Sequence, residues 1–95
     1  MVEAAQVRAA RALIGWSQAK LAETAGVPVS IVEQFETGAP HPFPNAALDK
    51  MRAALEAAGV VFLPKDDGGG IGVRLREPLE GEYIGWDDLN ASNDE

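Results

Sequence analysis

The stretch from Gly15 to Gly38 leaves this chain little freedom. Gly15 closes a first apolar-periodic segment, and Ser17 stands where a hydroxyl can cap the next helix. That helix runs from about Gln18 to Ala25 and stops at Gly26, a residue that tolerates positive φ. Pro28 suits the first turn of a further helix, because the N–H it lacks has no partner there. This helix reaches about Thr37, with Gly38 beyond it. Two helices this short, joined by so tight a turn, must cross steeply and touch closely. Small Ala22 permits the approach, and Leu21, Val27, Val32 and Phe35 can fill the space between them.

The flanks extend the pattern. Residues 4–14 read as a helix, with Val7, Ala10, Leu13 and Ile14 on one stripe and Arg8 and Arg11 off it. Ala19, Leu21 and Ala22 are expected on the buried side of the second helix. Pro40, Pro42 and Pro44 make residues 39–44 a loop, and Asn45 can cap a fourth helix, 46–58, on the apolar positions Leu48, Met51, Ala54, Leu55 and Ala58. After Gly59 the period changes from helical to alternating. Val60 to Leu63 and Ile71 to Leu75 read as two strands, and residues 64–70 as the turn between them. Residues 77–95 are polar and acidic. The expected architecture is therefore mainly α: four helices over 1–59, a β-hairpin over 60–76 and an acidic tail over 77–95.

The stretch resembles the helix-turn-helix of the Xre/Cro-type phage-repressor family. The resemblance rests on Trp16-Ser17-Gln18, Leu21-Ala22, Ala25-Gly26-Val27 and Phe35-Glu36-Thr37-Gly38, and covers roughly residues 5–58. The Gly59–Arg76 hairpin is similar to the ending of a short subgroup of the same family. The resemblance implies a phage-repressor-like fold and sequence-specific binding of double-stranded DNA by a transcriptional regulator, with repression as the default. The third helix would enter a major groove about 12 Å wide. A dimer would bind half-sites about 34 Å apart.

Residue by residue, Gln18 resembles the position that touches phosphate and steadies the recognition helix. Val29, Ser30 and Gln34 match positions that face base edges. Gln34 can pair with adenine, Ser30 can bond to several bases, and Val29 can meet a thymine methyl. Glu36 resembles the structural acid at the end of the third helix. Arg8, Arg11 and Lys20 are phosphate candidates. Glu33 joins the base-facing set as the odd member, because it repels phosphate unless it accepts from a cytosine amino group. The third helix carries no Lys or Arg, so modest affinity per subunit and dependence on a homodimer are expected. Val60, Phe62, Ile71, Val73 and Leu75 are the candidate dimerisation residues, since two strands alone are marginal and their edges invite pairing.

Charge qualifies this picture. The net charge is −7, awkward for a ligand made of phosphates. It is unevenly distributed: residues 1–65 hold six basic and six acidic side chains, and residues 66–95 hold two basic and nine acidic ones. The acidic tail, with Tyr83, Ile84 and Trp86 among its carboxylates, suits docking on a protein partner. The competing reading is thus an interaction module or antitoxin that uses the same scaffold and this tail.

Other classes find little support. The chain has no cysteine and one histidine, His41, set among prolines. No metal ligand set, catalytic triad or cofactor is expected. Gly68 to Gly72 lacks the Lys-Ser/Thr ending of a phosphate loop and leads into a strand. No apolar run approaches the ~20 residues that span a bilayer, and the first residues lack the apolar core of a signal peptide. The expected location is the cytoplasm, with no membrane contact.

Overall fold

The computed structural model describes residues 2–40 and 42–77. His41 and the tail residues Tyr83, Ile84 and Trp86 lie outside them. Four helices precede one hairpin: α1 (Ala4–Ile14), α2 (Gln18–Ala25), α3 (Val29–Glu36), α4 (Asn45–Ala57), β1 (Val60–Leu63) and β2 (Gly72–Leu75).

Local chemistry sets most boundaries. The Ser17 hydroxyl accepts from the Lys20 N–H at 3.0 Å, capping α2. Gly26 ends α2 at φ 75°, and its N–H donates to the Ala22 carbonyl. An L-residue with a side chain rarely adopts this backbone conformation, which makes the turn to α3 possible in three residues. Pro28 takes the cap position just before α3, in extended conformation. Pro44 holds the same place before α4, so Asn45, expected as a cap, is instead the first helical residue and makes no side-chain cap bond. Thr37 caps α3 and its hydroxyl donates to the Gln34 carbonyl at 2.7 Å.

The core forms where the four helices meet the hairpin. Val7, Ala10, Leu21, Val32, Met51, Leu55 and Val60 are buried together. α2 packs on α3 and α4, α1 on α3 and β2, and α4 on β1. Ala19, expected inside, is exposed. It sits on the flank of α2 away from both packed neighbours, and a methyl group loses little by facing water.

The hairpin is antiparallel, with Val60 opposite Leu75 and Phe62 opposite Val73. These four side chains face the core, while Val61 and Arg74 form an outward pair. Ile71 falls just outside β2 and is 45% exposed. Asp66 organises the turn: its carboxylate accepts from the Gly68 N–H at 2.8 Å, and its backbone pairs with Gly69.

Gln6 ties the hairpin down. Its Nε2 donates to the carbonyls of Leu63 (3.1 Å) and Gly72 (3.0 Å), while its Oε1 accepts the Glu3 N–H at 2.8 Å. One buried amide therefore serves the first turn of α1 and the two strands together. Among the described residues no helix is long and apolar enough to cross a membrane.

Candidate nucleic-acid interface

α3 divides cleanly into two faces. At 100° per residue, Val29, Glu33, Ser30 and Gln34 occupy an arc of about 140°, and Ile31, Phe35, Val32 and Glu36 fill the opposite side. The first four are exposed, with Val29 at 41%. Val32 is fully buried, and Phe35 meets Phe43 edge-on at 5.5 Å. Among the described residues no hydrogen bond or ion pair engages the side chains of Ser30, Glu33 or Gln34. Two hydrogen-bonding side chains, one carboxylate and one branched apolar group are thus left for an external ligand.

The inward end of α3 is anchored by a buried polar cluster. The Glu36 side chain is only 3% exposed. Arg11 meets it with two parallel bonds, Nε to Oε2 at 2.6 Å and Nη2 to Oε1 at 2.6 Å. Gln18 Nε2 adds a third donor to Oε1 at 3.0 Å. Arg11 Nη1 also donates to the Trp16 carbonyl, and Arg8 Nη1 donates to the Glu36 carbonyl. Side chains from α1 and from the first residue of α2 therefore converge on the last residue of α3. Donating to the Glu36 carboxylate raises the Arg11 pKa above its ordinary value, with burial opposing and the carboxylate charge helping. Arg8 also faces the negative end of the α3 dipole.

This geometry redistributes the expected phosphate contacts. Arg11, read as lying off the buried stripe and free for phosphate, is turned inward: its Nε, Nη1 and Nη2 are all engaged and 19% of its side chain is exposed. Gln18 holds α3 through Glu36 instead of standing free. Arg8 is exposed but has one nitrogen on the end of α3. Lys20 remains open, its ammonium 5.9 Å from the Trp16 ring centroid. Of the candidate dimerisation side chains, Val60 is 1% exposed, and Phe62, Val73 and Leu75 pack against the chain's own core. Only Ile71 among them is exposed, although no further strand pairs with the outer edges of β1 and β2 among the described residues.

Two features escaped sequence reasoning. Arg11 and Glu36 are 25 positions apart, and no short-range pattern links them. Gln6 shows only the spacing Glu3-x-x-Gln6, which hints at its bond to the Glu3 N–H and not at the hairpin carbonyls. Among the described residues no group of three or more His, Asp or Glu side chains is arranged to hold a metal.

A scan against protein-family models finds no match for this chain, and a search of curated proteins finds none either.

Proposed function

We propose that this chain is a phage-repressor-like helix-turn-helix regulator that lays the outward face of α3 in the major groove of duplex DNA. The observation that carries this reading is the contrast between the two faces of α3. One offers Val29, Ser30, Glu33 and Gln34 unengaged, and the other is held by Val32, Phe35 and the Glu36 cluster. A helix that reads bases must be presented rigidly, because every hydrogen bond to a base edge depends on its angle of entry. In this reading the protein acts as a repressor and as a pair of copies. Two copies would meet along the outer edges of the hairpin and Ile71, since Val60, Phe62, Val73 and Leu75 already pack against the chain's own core.

Gln34→Ala should lower affinity for the preferred duplex by about 1–3 kcal/mol and relax selection at one base pair. Competition binding against single-base variants of that duplex measures both effects. Unchanged preference would mean that α3 does not dock this way.

Salt dependence offers a separate check. On α1 to α3 only Arg8 and Lys20 remain available to phosphate, so each subunit should release about two counterions. The slope of log affinity against log salt should then be about −2 per subunit, measured by mobility-shift titration of genomic fragments at several salt concentrations. The same titration weighs the competing reading. The net charge of −7 and a third helix with no cation favour a protein partner, and failure to shift any fragment at low salt would select that reading.

A further inference from the structure

We propose that Glu33 makes recognition conditional on cytosine, so that this carboxylate selects one base of the binding site and brakes binding elsewhere. The inference rests on the docking of α3 proposed above. Its starting point is an uncompensated charge. Glu33 is exposed in the middle of the outward arc, flanked by Val29 one turn earlier and by Ser30 and Gln34. α3 has no Lys or Arg, and neither ion pair among the described residues involves Glu33. Arg8 and Arg11 bond to Glu36, the last residue of the helix.

A carboxylate carried into the major groove without a cation meets phosphates on both sides and mostly acceptors on the floor. It is an acceptor only. Guanine presents N7 and O6 and thymine presents O4, all acceptors that repel it. Adenine offers an amino group, but N7 lies beside it on the same base. Cytosine offers its N4 amino group with no acceptor on its own major-groove edge. One base thus converts the repulsion into a charge-assisted hydrogen bond, and the other three leave it uncompensated. Gln34 and Val29 add favourable contacts to adenine and to a thymine methyl, but neither carries a charge that repels the wrong base. Discrimination here comes from repulsion relieved at one base, which suits a helix with no cations to hold non-cognate DNA.

The test uses the full chain and a pool of duplexes with a randomised core, sequencing the bound fraction for the wild type, Glu33→Gln and Glu33→Ala. Because Glu33 is exposed and has no hydrogen bond or ion pair among the described residues, both variants should keep the wild-type circular dichroism and melting curve. The wild type should fix cytosine at one position of each half-site, with a preference of about 5- to 150-fold over other bases. Both variants should lose that preference, keep the remaining positions and bind the unselected pool more tightly. A motif that keeps its cytosine in both variants overturns the role of Glu33 and leaves the docking of α3 intact. No enriched sequence with any of the three proteins overturns the DNA reading, and this inference with it.

Discussion

Glu36→Ala should destabilise the fold by about 3 kcal/mol, the lower end of the 3–5 kcal/mol lost when one partner of a buried ion pair is removed. The lower end applies because Arg11 keeps 19% of its side chain in water and part of its charge can be rehydrated. The substitution removes the acceptor of both Arg11 bonds and of the Gln18 bond. It leaves the guanidinium facing a gap at the junction of α1, α2 and α3. Against a total stability of about 5–15 kcal/mol, such a loss is a large share. Urea unfolding should show a lower midpoint with an unchanged slope. Arg11→Met combined with Glu36→Leu should recover most of the loss, because well-packed apolar groups can replace a buried pair. A loss under about 1 kcal/mol for Glu36→Ala would mean that the cluster does not secure α3. Weaker DNA binding by an Arg11 variant is therefore to be read first as a folding defect.

Leu21→Ala should be of similar size, about 2–5 kcal/mol. Leu21 is fully buried on α2, the helix that packs against both α3 and α4. Its neighbours Val32, Met51 and Leu55 are themselves fully enclosed, so the structure has little freedom to collapse into the space left behind. At roughly 4–8 °C per kcal/mol for a domain of this size, the melting temperature should fall by about 8–40 °C. Calorimetry would measure it. A fall of only a few degrees would indicate that α2 and α3 are held together mainly by polar contacts.

The sequence was most legible where the determinants are local. α1 and α2 have the bounds expected from their apolar spacing and from Gly15, Ser17 and Gly26, because caps and periodicity act within a few residues. The strand alternation of Val60 to Leu63 and of Val73 and Leu75 was likewise readable, although β2 begins at Gly72 and leaves Ile71 outside. Prolines 28 and 44 were ambiguous by one position, since a proline fits both the cap and the first turn of a helix. The outward set on α3 was implied by the family resemblance, and its exposure agrees with Val32 and Phe35 facing inward. Long-range pairing was not legible. An arginine on the flank of an apolar stripe looks solvated until a carboxylate from a helix 25 positions later meets it. The same blindness left open which face of the hairpin is used within the chain: Val60 is buried, and Phe62, Val73 and Leu75 are partly buried against the core, while Ile71 stays exposed.

The amide of Gln6 has a consequence for how the chain is made. It joins the first turn of α1 to a strand that begins 66 positions later. The caps and intrahelical bonds of α1 and α2 are short-range and are available early, although helices of 11 and 8 residues need packing to persist. The clasp at Leu63 and Gly72 must wait until the hairpin has emerged, and closing so wide a loop costs entropy that only the finished contact returns. Until then Val7 and Ala10 have no strand to cover them. Even after α4 has been made, the protein therefore stays open to chaperones, to proteases and to association with its neighbours until β2 has followed.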